Sequence, residues 1–142
     1  MSDTESATQQ VYRSYHELRV WQKAVELNQL VLKSLEELPT VTRNLLGEHL
    51  VRACASIPAH IANGYASRSK TDYIDNLKSS LRQLSVVESI VLTQGTDGEF
   101  YQSVAELLTE LRKMLAGLTS SLTKPKKEIS KDEKEATSET SK

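Results

Sequence analysis

The chain is expected to be all-α, an antiparallel up-down-up-down four-helix bundle whose second helix is kinked. Three observations carry that expectation. Four long segments repeat their apolar residues at helical spacing, the links between them are short, and Pro58 interrupts an otherwise continuous helical pattern. Pro58 has no N–H for the carbonyl of Cys54, and its ring crowds that carbonyl. Such a residue costs about 3 kcal/mol in a helix interior and bends the axis. A chain retains it where tertiary packing uses the bend.

Residues 1–15, rich in Ser, Thr, Gln and Glu, have no sustained apolar period and read as a flexible leader. The first helix is expected from about His16 to Leu38, with Trp21, Ala24, Val25, Val31, Leu35 and Leu38 on one face and Pro39 closing it. Val20, Leu27 and Leu30 widen that face beyond a single seam. The second helix is expected from about Thr42 to Asn63, where Leu46, Leu50, Ala53, Ile57 and Ile61 advance by 4, 3, 4 and 4. Thr42 is its candidate N-cap and Gly64 the residue just past its end.

The third helix begins near Ser69, whose hydroxyl three residues before Asp72 resembles a capping box. It carries Ile74, Leu77, Leu81, Leu84, Val87 and Val91 and stops at Gly95, leaving Val86 and Ile90 outside its seam. The fourth opens after Thr96-Asp97-Gly98-Glu99 and carries Val104, Leu107, Leu108, Leu111, Leu115, Leu118 and Leu122 before Pro125. The bundle thus occupies 16–123. The charged segment 124–142, with Ile129 its one sizeable aliphatic, is expected to be disordered. Links as short as Pro39–Val41, Tyr65–Arg68 and Gly95–Gly98 force antiparallel neighbours. The spare apolar residues on the first and third helices point to contacts between copies, hence a homo-oligomer.

A length of 142 residues fits one domain with a sizeable core, and 5 Gly and 3 Pro suit a helical chain. Cys54 is the only cysteine, which excludes an intrachain disulfide; it reads as a buried thiol rather than a nucleophile. There is no basic-then-apolar leader and no long uncharged apolar run, so a cytoplasmic protein without a membrane span is expected.

No constellation of residues points to catalysis, and no cofactor is expected. His49 and His60 return to nearly the same helical face but lie about 16 Å apart along the axis, too far to share a metal. Ser56 and His60 are four residues apart, yet no acid nearby in sequence orients the imidazole, and Ser56 reads as a small packing residue. Gly64, Gly95 and Gly98 fit no phosphate-cradling spacing.

Charge is the more telling signal. The net charge is −1, but from Arg43 to Arg82 six bases face three acids, whereas from Gln83 to Thr123 two bases face five acids. Arg52, Lys78 and Arg82, with Arg68 and Lys70, are the candidate residues for binding the backbone of RNA or DNA. The competing reading makes them ordinary solvated or ion-paired residues, with Asp75 well placed for Lys78. No aromatic interleaving supports base stacking, so affinity would be phosphate-driven and sensitive to salt.

Several local matches converge on one family. His16-Glu17-Leu18-Arg19-Val20-Trp21-Gln22-Lys23-Ala24 carries an L-x-V-W-Q-K-A block, and Leu46 to Pro58 carries L-x-x-x-L-x-R-A-x-x-S-I-P. Ile61-Ala62 with Gly64, and Lys113-Met114-Leu115 with Leu118 and Leu122, continue the pattern. From about Leu18 to Lys124 the chain resembles the four-helix-bundle family related to proteins encoded in intervening sequences of bacterial large-subunit ribosomal RNA genes. Departures are His49, His60 and Asn63 where the family usually has Gln, Asn and Glu, Ser79 for a glycine, and Gln83 and Ser85 for two carboxylates. Resemblance implies a homo-oligomer, a pentamer of four-helix protomers, without established enzymatic activity. Relatives include an accessory protein that works beside the reverse transcriptase of diversity-generating retroelements and offers a basic surface to nucleic acid. The alternative is a self-assembling scaffold that grips another protein.

Overall fold

The computed structural model describes residues 15–95 and 98–124. All regular structure among them is helical: α1 (Arg19–Glu36), α2 (Thr40–Ala66), α3 (Lys70–Leu92) and α4 (Glu99–Thr123). None of these helices is long and apolar enough to cross a membrane. Apart from Tyr15 and Lys124, the expected leader (1–15) and tail (124–142) lie outside the described residues.

The core stripe of α1 is Val20, Ala24, Leu27, Val31 and Leu35. Val20 and Leu27, expected as spare surface for other copies, are 5% and 0% exposed. The reason is periodicity: these five residues advance by 4, 3, 4 and 4, which is itself a complete seam. Trp21, Val25 and Leu38, expected at its centre, are half-buried. A stripe this broad hides its own midline from sequence.

α2 begins at Thr40, two residues earlier than expected, and Thr42 is not its cap. Pro39 occupies the N-cap position at φ −55°, a fixed torsion that presets the chain for entry into the helix. The helix continues through Pro58 and Gly64 to Ala66. Gly64 is therefore an interior residue, not a terminator. A Cβ there would stand 2.7 Å from the Asn76 Cβ and 3.3 Å from the Tyr73 Cα, so only glycine lets α3 approach this closely.

The carbonyl stranded by Pro58 has a partner. Asn28 of α1 donates one amide N–H to the Cys54 oxygen at 2.8 Å and the other to the Ala24 oxygen at 2.9 Å. A side chain on the neighbouring helix thus supplies the donor that proline lacks.

α3 starts as the sequence implies, with the Ser69 hydroxyl accepting from the Asp72 N–H at 3.2 Å. Its buried face is Leu77, Ser80, Leu84, Val87 and Val91, while Ile74 and Leu81 are half-buried. Ser80 is fully buried, and its hydroxyl donates to the Ile57 oxygen at 3.0 Å. Gly95, at φ +92°, takes the left-handed conformation just beyond the helix end. α4 buries Phe100, Val104, Leu108, Leu111 and Leu115.

Each helix packs on its neighbours in the chain, and α1 also packs on α4, closing a cycle around one core. The α2–α3 interface is the most extensive, because Gly64 and Ser80 let the two backbones draw together. Residues cross it in reverse order: Ile57 meets Ser80, His60 meets Asn76, and Gly64 lies against Tyr73 and Asn76. Between α1 and α4, Ser34 meets Ser103 and Lys23 meets Glu110. Burying each of Leu27, Leu50, Ile57, Leu77, Leu84 and Leu111 stabilises the fold by about 1.5–3 kcal/mol before chain entropy is subtracted.

Candidate nucleic-acid interface

All five cations singled out in the sequence are exposed and belong to the α2–α3 half: Arg52 on α2, Arg68 in the link, and Lys70, Lys78 and Arg82 on α3. Arg52 pairs with Glu48 at 2.9 Å, but the two side chains are 79% and 78% exposed. An exposed i, i+4 pair of this kind contributes well under about 1 kcal/mol and leaves the guanidinium accessible. Arg82 donates to the Ser79 hydroxyl at 3.0 Å. Arg68, Lys70 and Lys78 form no ion pair among the described residues, so Asp75 does not neutralise Lys78.

The pairing of Ile57 with Ser80 sets the relative level of these groups. Counting five residues outward along each helix puts Arg52 level with Ser85, roughly 4.5 Å along the axis from Arg82. Lys78 stands seven residues before Ser85, on the side of α3 that reaches α4, where Ser85 accepts from Arg112 at 3.2 Å. No polar contact joins Arg52 to Lys78 or Arg82 among the described residues. Ser85 thus engages a cation, as does Glu88, which accepts from Arg112 at 3.0 Å.

The turn between α2 and α3 holds a feature that sequence reasoning missed. Tyr65 is 38% exposed, three residues before Arg68, and meets the Tyr73 ring edge-on, with centroids 5.8 Å apart and planes at 78°. Tyr73 is half-buried, and burial, followed by the neighbouring Tyr65, raises its phenol above the ordinary value. The signal was present: Tyr65 falls off the apolar stripe of α2 and sits beside two cations in Tyr-Ala-Ser-Arg-Ser-Lys. The turn itself is tied down by Ser67, whose hydroxyl donates to the Gly64 oxygen at 2.8 Å.

Beside it lies a polar cluster. The Asn76 Oδ1 accepts from His60 Nδ1–H at 3.2 Å and from Asn63 Nδ2 at 3.3 Å, while its own amide donates to the Asp72 oxygen at 2.8 Å. Asn76 is thus the side-chain partner of the His60 ring. Ser56 is not its partner, since that hydroxyl donates to the Ala53 oxygen at 2.6 Å. Cys54 is 1% exposed, and burial pushes its thiol up to about 12, which keeps it protonated and unreactive. Among the described residues no cluster of His, Cys, Asp and Glu converges as metal ligands do.

The α1–α4 side differs in sign. One open groove there, about 450 Å³, is lined by Lys33, Glu37 and Glu99, and a second by Glu106, Glu110 and Lys113. Lys23 bridges Glu26 at 3.2 Å and Glu110 at 3.3 Å, and those hydrogen bonds raise its ammonium above the ordinary value. Each groove thus carries two carboxylates against one lysine, an excess of negative charge that the exposed α2–α3 cations do not share.

A family model described as 23S rRNA-intervening sequence protein matches residues 16–117. No curated protein matches the chain.

Proposed function

The chain belongs to the 23S rRNA-intervening sequence protein family, and from that premise we propose that it is a non-enzymatic accessory protein that holds an RNA or DNA backbone. Arg52, Arg68, Lys70, Lys78 and Arg82 make the contacts. One observation carries the reading: these five exposed cations all lie on α2, α3 or the link between them, and of the five only Arg52 is ion-paired to a described residue. The acidic grooves on the α1–α4 half supply the contrast that orients a polyanion. Contacts of this kind are made chiefly to phosphate and weaken as salt rises.

In this reading the four helices form an up-down-up-down bundle bent at Pro58, supported by the reversed order of contacts across α2–α3 and by the missing Pro58 donor. Copies associate, a pentamer by the family resemblance, in the cytoplasm and in company with a reverse transcriptase. Filter binding of structured RNA to the Arg52→Ala, Lys78→Ala, Arg82→Ala triple variant tests the central claim. The expected result is a large loss of affinity and a shallower salt dependence. Unchanged affinity removes the proposal.

A second reading has its own observation. Val41 and Leu45 are 70% and 68% exposed one turn apart on α2, and Val86 is 42% exposed on α3. They suit a self-assembling scaffold that binds protein rather than nucleic acid. A monomer by light scattering counts against it.

A further inference from the structure

We propose that the α2–α3 turn is a single-strand platform, on which an unpaired base stacks against Tyr65 while Arg68 and Lys70 hold the flanking phosphates. This inference rests on the nucleic-acid reading above and deepens it by naming the form of nucleic acid preferred. Phosphate contacts alone do not distinguish a duplex from a single strand by its bases. An accessible aromatic ring does, because only an unstacked base can offer its face.

Three observations converge at this turn. Tyr65 is 38% exposed in a chain that buries or half-buries its other described aromatic rings. The T-shaped contact with Tyr73 at 5.8 Å positions the ring while the residue stays 38% exposed. Tyr73 is itself fixed, since its Cα and ring pack against Gly64 of α2. Thirdly, Arg68 and Lys70 are exposed and have no carboxylate partner among the described residues. Their positions three and five residues after Tyr65 keep two positive charges within at most roughly 11 and 18 Å of extended chain from the ring's own backbone. The Ser67 and Ser69 hydroxyls are already engaged with backbone, which stiffens the loop that carries the cations.

The chemistry required of the ligand follows. It carries a planar base free of its neighbours and phosphates on either side, which is a single-stranded stretch and not a helix. Base–aromatic stacking accounts for about 1–3 kcal/mol per base, so loss of the ring reads as roughly a 5- to 150-fold weakening.

The test uses the full chain and fluorescence anisotropy with two probes, a short labelled oligouridylate and an RNA hairpin with a long duplex stem. Tyr65→Leu keeps apolar volume but removes the ring; Tyr65→Phe keeps the ring. The expected result is a roughly 5- to 150-fold loss for oligouridylate with Tyr65→Leu, near-wild-type binding with Tyr65→Phe, and little change for the duplex with either. Thermal melts of both variants check that the fold is retained, and Tyr65→Met, which also removes the ring, carries the comparison if Tyr65→Leu melts early. Salt-sensitive binding that Tyr65→Leu leaves unchanged, or weakens equally for both probes, overturns the platform and leaves the phosphate-holding reading in place. No binding of either probe by the unmodified protein overturns both.

Discussion

Asn28 and Pro58 should be energetically coupled although they sit on different helices. Pro58 removes the N–H that the Cys54 carbonyl would otherwise accept, and Asn28 replaces it at 2.8 Å. Asn28→Leu leaves that carbonyl without a donor in a region where Cys54 is 1% exposed. An unsatisfied buried carbonyl costs about 1–3 kcal/mol. For a domain of this size that lowers Tm by roughly 3–4 °C for each kcal/mol. Pro58→Ala restores a backbone N–H at position 58, so the same Asn28→Leu change made in that background should cost about 1 kcal/mol or less. The difference is a coupling energy of about 1–2 kcal/mol, read from a double-mutant cycle by urea unfolding followed with far-UV circular dichroism at one protein concentration. Equal costs of Asn28→Leu in the two backgrounds would refute the argument that this amide compensates the proline.

Two further outcomes are expected. Gly64→Ala puts a methyl 2.7 Å from the Asn76 Cβ, which no rotamer change relieves, so α2 and α3 must part; a loss of about 1–3 kcal/mol in urea unfolding is expected, and no loss would mean the helices are less closely apposed. Cys54 gives the protein an alkaline weakness. Its folded thiol titrates near 12 against an ordinary 9.0, so its contribution is complete below pH 9 and is lost as pH rises towards 12. The slope is about 1.4 kcal/mol per pH unit within that window, and Cys54→Ala should flatten the alkaline limb of the stability curve.

Much of the architecture was legible because apolar spacing and turn chemistry are local. The Ser69 cap, a halt of α3 close to Gly95 (three residues earlier, at Leu92) and the Val104, Leu108, Leu111 and Leu115 seam of α4 follow from residues a few positions apart. Partner-dependent features were not. Gly64 looks like a helix terminator until α3 is placed against it, since close approach and chain reversal call for the same residue. Val20 and Leu27 looked spare because a helix with a wide apolar face does not reveal which stripe its neighbours will cover. Asn28 is an unremarkable polar residue in sequence, and its role requires knowing that α1 lies beside Cys54. Likewise, the candidate cations were readable as charges, whereas the Tyr65 ring needed the turn's geometry to be seen among them.

Helices α2 and α3 meet through a missing side chain and a buried hydroxyl, with no long, pliable group at these two points to absorb a shift. That join behaves as a rigid splint beneath the positive charges. The backbone positions that carry them are therefore set in advance, while the exposed Arg and Lys side chains keep rotamer freedom of their own. Under the proposed reading, a nucleic acid strand adapts its path to that backbone template.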